Sequence, residues 1–364
     1  MRRPSHLLNQ LAVAMGSLLI FTSPVFAHTP GQSLSDQARL KELADLLESG
    51  EELVESGSLA EALSRYQHAV SLDSENPKIF SAIGYVQARQ GNFQESIAAF
   101  QTALELDSEN LPFLFGLAYA QSQLEAYEAT ANTYRQILRL QPDNLDAQIG
   151  LGAMLFQLKA FEEASEVYAN ILKDDPENWQ AAESLGLILL QQGEIEAAIT
   201  ALEQAAELAP QTSQIQMNLG FAYLRQDDIE SALATFEAAA EGDPLNADVR
   251  MQIGYVLWQQ GNLEAAMERY QQATRLQPDS VIAHDAIADL YFEQQDVLMT
   301  IVAHRELLEL APDHASGYYH LAIALEAHSR TAEAIEALQK AKTLLLEQGN
   351  EEDVQIIDEL LQGL

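Results

Sequence analysis

The segment Ala247–Ser280, ADVRMQIGYVLWQQGNLEAAMERYQQATRLQPDS, has the pattern of two amphipathic helices joined by a tight turn. Its apolar residues recur at helical spacing on both sides of the Gly261-Asn262 pair, and the glycine has the backbone freedom needed to end the first helix. Pro278 disfavours helical backbone at the residue before it and so ends the second helix. The segment therefore predicts a helix–turn–helix unit.

The same pattern returns every 34 residues without an insertion or deletion, which defines nine units that begin at Leu43 and end at Gln348. The eighth position is small from the second unit onward: Gly84, Ala118, Gly152, Gly186, Gly220, Gly254, Ala288 and Ala322. The twentieth position is small in every unit: Ala62, Ser96, Thr130, Ala164, Ala198, Ala232, Ala266, Thr300 and Ala334. Such a period predicts an array in which each unit buries its apolar face against its neighbours.

The period and its alternation of small and large residues resemble the tetratricopeptide repeat (TPR) family. The resemblance covers residues 43–348 and implies an all-α fold, a right-handed superhelix (α-solenoid) of nine helix-turn-helix repeats. It also implies that the first helix of each repeat lines a concave groove. Residues 28–42 are expected to form a linker and an N-terminal helix that begins near Gln37, and residues 349–364 a C-terminal capping helix.

Residues 1–27 have the features of a cleavable signal peptide. Arg2 and Arg3 precede the apolar run Leu11–Phe21, and small residues follow before Ala27. An uncleaved membrane anchor is the alternative, but a membrane span needs about 20 apolar residues. The sequence therefore predicts an exported protein, periplasmic or secreted, that has no membrane span after cleavage.

Composition excludes several classes of site and partner. The chain has no cysteine, so it contains neither disulfides nor thiolate metal ligands. Removal of residues 1–27 leaves 17 basic and 55 acidic residues, a net charge of −38. Phosphates would be repelled, which argues against nucleic acid as a partner, whereas basic polypeptides or divalent cations would be attracted. Acidity that merely keeps the array soluble is the alternative.

The groove is expected to be apolar and rich in aromatic side chains. In the family, positions 2, 5, 9, 12 and 13 of the first helix meet the ligand, while positions 4, 7, 8, 11, 20, 24 and 27 form the core. The corresponding candidates for binding a peptide tail or helix of another polypeptide are Tyr85, Phe115, Tyr119, Ile149, Phe156, Leu187, Leu190, Met217, Phe221, Leu224, Met251, Tyr255, Trp258, Phe292 and Tyr319. Packing between repeats, or capping by a terminal segment, would account for the same pattern.

The eighth unit, residues 281–314, departs from the pattern. It has Gln295 in place of the turn glycine, Thr300 in place of alanine and His304 in place of the core aromatic residue.

Asp285, Asp289 and Glu293 in this unit are four residues apart and so share one helix face. Carboxylates with nearby imidazole suit a hard divalent cation such as Mn²⁺, Ca²⁺ or Mg²⁺, and five histidines lie close in sequence: His284, His304, His314, His320 and His328. The alternative is that His284 and His304, at positions 4 and 24, are ordinary core residues.

None of the sequence motifs of phosphate-binding loops, zinc proteases or serine hydrolases occurs. We therefore expect a non-enzymatic scaffold or assembly factor without a cofactor, in which a bound divalent cation is the one addition that the acidic residues suggest. The architecture is also similar to that of periplasmic TPR assembly factors of cyanobacteria, which implies the alternative of an acidic assembly factor of photosystem II type that binds a divalent cation, Mn²⁺ or Ca²⁺.

Overall fold

The computed structural model describes residues 34–364, so the predicted signal peptide and residues 28–33 of the predicted linker lie outside the described residues. Every regular element from residue 34 onward is an α-helix, which confirms the all-α fold class. None of these helices is both long enough and apolar enough to cross a membrane. The described chain divides after Gly193 into two compact units.

The first unit contains nine helices: α1 (Leu34–Glu55), α2 (Leu59–Leu72), α3 (Pro77–Arg89), α4 (Phe93–Leu106), α5 (Leu111–Gln123), α6 (Tyr127–Leu140), α7 (Leu145–Gln157), α8 (Phe161–Asp174) and α9 (Trp179–Gln192). The second unit contains ten: α10 (Ile195–Leu208), α11 (Ser213–Arg225), α12 (Ile229–Gly242), α13 (Ala247–Gln259), α14 (Leu263–Leu276), α15 (Val281–Glu293), α16 (Val297–Leu310), α17 (Ala315–Ala327), α18 (Thr331–Glu347) and α19 (Glu351–Gly363). Within each unit, consecutive helices pack against each other across short turns.

Both ends of the array depart from the regular pattern. The structure has one continuous helix, α1, where the sequence suggested an N-terminal helix ending near Leu47 and a separate repeat helix. At the other end α18 has 17 residues, three more than α16, and α19 packs its Ile357 into the cluster formed with α18. The terminal helices therefore cover the core that an internal repeat would share with its neighbour.

A residue with positive φ ends the first helix of every repeat at position 15. Glycine occupies it in four repeats, and a non-glycine residue in the other five, with φ between 56° and 66°: Glu125, Lys159, Asp227, Gln295 and Ser329. Gln295 is therefore not an irregularity of the eighth repeat, because it takes the same left-handed conformation as its counterparts.

The core includes a broader face of the first helix than the sequence predicted. Positions 8, 20, 24 and 27 are buried in all nine repeats, as expected. Position 3 is also buried from the second repeat onward, whereas at position 4 residues such as Gln148 and His284 are half-exposed. The reason is that, within each unit, a first helix such as α13 packs against α14 of its own repeat and against α12 of the preceding repeat. His284 is thus not a core residue; its Nε2 lies 3.0 Å from the carbonyl oxygen of Pro278.

Candidate functional site

The predicted groove residues lie at the edge of the core, and most of them are half-buried. Phe221 and Tyr255 keep the largest exposed fractions, 37% and 46%. Leu190 is only 7% exposed, so it offers little surface to a partner in this conformation. Each unit therefore contributes its own set of partly exposed apolar side chains, and the set that includes Phe221 and Tyr255 belongs to residues 194–364.

Core aromatic residues support several of these side chains from behind. The ring of Phe221 meets the buried ring of Phe236 edge-on at 5.4 Å, and that of Trp258 meets Tyr270 at 6.4 Å. Contacts of this kind restrict the side-chain rotamers, so little further entropy is lost when a ligand covers the exposed side of the ring.

The first unit has a similar arrangement with more internal contacts. Phe115 packs against the core residue Tyr134 at 6.5 Å, and Tyr85 accepts a hydrogen bond of 3.2 Å from Arg89. Since Phe115 also contacts the hydrophobic cluster of residues 114–188, packing between repeats accounts for part of its apolar surface. Packing between repeats thus explains the buried face of Phe115, whereas a role of its other face in ligand binding stays a prediction.

Sequence reasoning missed several exposed apolar side chains of the eighth repeat. Ile282, at groove position 2, is 73% exposed, while the equivalent residues in the other internal repeats are polar or proline. On α16 the side chains of Leu298, Met299 and Val302 are also exposed. Comparison of the same position across repeats was the signal that could have identified them.

The three predicted metal-ligand carboxylates of α15 have different partners. Glu293 accepts a hydrogen bond from the indole Nε1 of Trp258 in the preceding repeat. Asp285 lies 3.7 Å from Nε2 of His314, whose Nδ1 accepts the backbone N–H of Gly317 at the start of α17. These contacts draw the two carboxylates toward opposite neighbours and leave Asp289 between them.

Asp289 is surrounded by imidazoles. Its Oδ1 lies 3.0 Å from Nδ1 of His320 and 3.8 Å from Nε2 of His304. One potential ligand atom from each of these three residues lies within 4.8 Å of the others. The structure therefore brings Asp289 together with two of the five neighbouring histidines, whereas Asp285 and Glu293 belong to other contacts.

The two aspartates respond differently to these surroundings. Burial by itself raises the pKa of Asp289, but the neighbouring imidazoles of His304 and His320 outweigh it and hold the pKa well below its usual range. Burial raises the pKa of Asp285, and the nearby Asp289 carboxylate raises it further, while His314 opposes both effects. The surroundings thus shift the pKa values of the two aspartates in opposite directions.

Models of the tetratricopeptide repeat match this chain along most of its described length. The models, described as Tetratricopeptide repeat or TPR repeat, cover residues 50–91, 77–110, 123–186, 161–213, 217–281, 253–297 and 302–347. Together they extend from the first predicted repeat to the ninth.

Individual relatives share less. A TPR repeat-containing protein of Picosynechococcus sp. is 36% identical over 64 residues, which are 18% of this chain and only 16% of that protein. A tetratricopeptide repeat protein from Parabacteroides merdae has a similar fold, with a TM-score of 0.51 at 18% identity over 69% of this chain and 98% of its own. YrrB, a TPR protein with an unusual peptide-binding site, is 26% identical, with a TM-score of 0.43 over 52% of this chain and 97% of its own.

The helical pairs, the small residues at positions 8 and 20 and the matches to the repeat models lead to the same conclusion. This chain belongs to the tetratricopeptide repeat family.

Proposed function

We propose that this chain is an exported, non-enzymatic scaffold or assembly factor that binds a segment of another polypeptide on the apolar face of its first helices. Membership of the TPR family supports a role as a protein–protein interaction scaffold. The concave groove, the export and the kind of partner are parts of the proposal.

The observation that carries it is the pair formed by Phe221 and Tyr255. These side chains occupy position 9 of neighbouring repeats and are more than one third exposed. Met217 and Met251, at position 5 of the same helices, are half-buried beside them. The ring of Phe221 is also supported from behind by Phe236, and partly exposed aromatic side chains are typical of binding hot spots.

The expected affinity follows from the apolar area. Full burial of one such anchor contributes about 1.5–3 kcal/mol, so four anchors contribute a gross total of about 6–12 kcal/mol. Association opposes this by at least about 4 kcal/mol, so these anchors alone support at most roughly micromolar binding of a short segment. The excess of acidic residues favours a basic segment over an acidic one.

Site-specific photo-crosslinking in the native host tests the proposal. A photoreactive phenylalanine analogue replaces Tyr255, and in a separate variant Phe221, and the crosslinked partners are identified. Leu245 is the matched control position, because it is 78% exposed and apolar but lies in the loop before α13. We expect a partner that is crosslinked from positions 221 and 255 and not from 245.

Binding of the purified partner segment then provides the quantitative measurement. Phe221→Ala combined with Tyr255→Ala should weaken it by at least tenfold, whereas Leu245→Ala should leave it unchanged. Equal crosslinking from all three positions, or an affinity that does not respond to the double substitution, would contradict the proposal.

The metal-handling alternative has one supporting observation among the described residues, the group formed by Asp289, His304 and His320. That such a factor would take part in the assembly of photosystem II stays a proposal, and identification of the crosslinked partner would test it. The two functions are compatible, since the metal group and the exposed aromatic pair belong to different repeats.

A further inference from the structure

His304 is a buried histidine with one unsatisfied ring nitrogen. It occupies core position 24 in the eighth repeat, where the other repeats have tyrosine, phenylalanine or leucine, and its side chain is fully buried. Nε2 of His304 has no hydrogen-bond partner among residues 34–364. An unpartnered polar atom in a core costs about 1–3 kcal/mol, so its retention at a position that accepts phenylalanine calls for a physical reason.

The contact of Nδ1 shows which ring nitrogen of His304 carries the proton and which keeps a free lone pair. Nδ1 of His304 lies 3.0 Å from the carbonyl oxygen of Thr300 on the same helix, and a carbonyl oxygen can only accept a hydrogen bond. The proton of neutral His304 is therefore on Nδ1, and Nε2 keeps a free lone pair 3.8 Å from Oδ1 of Asp289. This arrangement, in which one nitrogen donates to the backbone and the other is available, is the one that metal-binding histidines adopt.

The distances among the three potential ligands suit a single ion. Asp289 Oδ1 is 3.0 Å from His320 Nδ1 and 3.8 Å from His304 Nε2, and all three atoms lie within 4.8 Å of one another. Tetrahedral coordination with bonds of about 2.0–2.1 Å places neighbouring ligand atoms roughly 3.4 Å apart. Small side-chain rotations are enough to reach that geometry.

We infer that Asp289, His304 and His320 form a binding site for a transition-metal ion of the Zn²⁺ class. Two imidazoles and one carboxylate favour such an ion over Ca²⁺ or Mg²⁺, which prefer oxygen ligands. The side chains of Asp289 and His320 remain 31% and 25% exposed, so solvent or a partner side chain completes the coordination. The site goes beyond the proposed scaffold function and uses a ligand set different from the three carboxylates of α15.

The surroundings hold the ligands in place and connect two repeats. The ring of His320 stacks on Phe292 at 4.6 Å, which restricts its orientation. Asp289 lies on α15, His304 on α16 and His320 on α17, so the ion joins the eighth repeat to the ninth. Because the three residues come together only in the folded array, metal binding stabilises it against unfolding.

Calorimetric titration of tag-free full-length protein with Zn²⁺, in the presence of excess Mg²⁺, tests the site. We expect one saturable ion per chain and a higher midpoint of thermal unfolding. Titration with Co²⁺ gives a second readout, since its visible absorption spectrum reports nitrogen and oxygen coordination of low symmetry.

Three variants separate a real site from general attraction to an acidic surface. His304→Phe introduces the residue that the second and sixth repeats have at position 24, Phe100 and Phe236. The third repeat combines an aromatic residue at position 24, Tyr134, with alanine at position 8, as this variant would, so the change is compatible with the fold. His304→Phe and Asp289→Asn should each lower the affinity for Zn²⁺ at least about 10–100-fold. Asp285→Asn is the matched control, because it neutralises a carboxylate four residues away that contacts His314 instead, and it should retain the binding.

Two results would overturn the inference. One is the absence of saturable Zn²⁺ binding by the native chain. The other is an affinity that His304→Phe and Asp289→Asn reduce no more than Asp285→Asn does.

Discussion

Glycines at position 8, such as Gly220 and Gly254, lie against the large side chain at position 24 of the same repeat. A Cβ added to Gly254 would approach the ring of Tyr270 to 2.6 Å, and one added to Gly220 would approach Phe236 to the same distance. Real Cβ atoms essentially never show such a distance, so the two positions are coupled. In the ninth repeat the pair is Ala322 with Leu338, a larger residue at position 8 with a smaller one at position 24.

We predict that Gly254→Ala lowers the free energy of unfolding by about 1–3 kcal/mol, because the buried ring of Tyr270 has to move. The combination Gly254→Ala with Tyr270→Leu recreates the pair of the ninth repeat. Urea unfolding of the two single variants and of the double variant measures the coupling. A double variant that is as unstable as the sum of the single changes would show that the contact does not cause the effect.

At the scale of elements, the helix ends are specified locally. Asparagine precedes the first helix in most repeats, and its side chain accepts the backbone N–H of the third helical residue or of a near neighbour, as Asn144 does from Ala147 at 3.0 Å. The turn after the first helix requires positive φ whether or not glycine is present, as Gln295 shows with a φ of 58°. Local sequence thus places the helix boundaries, and the tertiary fold imposes the turn conformation.

We predict that Gln295→Gly stabilises the chain by about 1 kcal/mol, because glycine adopts the left-handed conformation without the steric cost that a side chain incurs. The reverse change is Gly261→Ala. Gly261 has a φ of 74°, and a Cβ added there would have no atom within 4 Å, so backbone strain alone determines the effect of this substitution. It should destabilise the chain by a similar amount. Thermal unfolding midpoints of the two variants should therefore move in opposite directions, and movement in the same direction would refute this explanation.

At the scale of the whole molecule, the most pronounced feature is the excess of negative charge. The chain has 55 acidic and 19 basic residues, and the described ion pairs, such as Arg135 with Glu163 and Arg305 with Glu333, engage only a small part of the acidic residues. Like charges at this density repel one another and oppose the compact state.

We predict that the midpoint of thermal unfolding rises by several °C when NaCl is raised from about 10 mM to about 300 mM, because the Debye length falls from about 30 Å to below 10 Å and repulsion is screened. The measurement is made in the presence of EDTA, so that divalent cations make no contribution. Replacement of NaCl by tetramethylammonium chloride at equal ionic strength should have a similar effect, whereas a midpoint that stays constant or falls would contradict net repulsion.

The sequence by itself determined the repeat architecture of this protein. A period of 34 residues with small residues at positions 8 and 20 predicts helical pairs wherever it occurs, because both signals act between residues that are close in the chain. The aromatic candidates for the proposed groove also follow from the sequence, since the family assigns positions 5, 9 and 12 to one face. Their exposure was not: Leu190 is buried and Tyr255 is exposed, although the same pattern placed both in the groove.

Only the tertiary structure decided which residues of the eighth repeat come together. The regular spacing of Asp285, Asp289 and Glu293 suggested one site, but their partners lie far away in sequence: Trp258 is 35 residues from Glu293, and His320 is 31 residues from Asp289. The occurrence of His304 at position 24 likewise predicts that it is a core residue, but it does not predict which of its ring nitrogens lacks a hydrogen bond. Helical periodicity specifies the face on which a side chain lies, whereas its partner depends on how that face packs against another repeat.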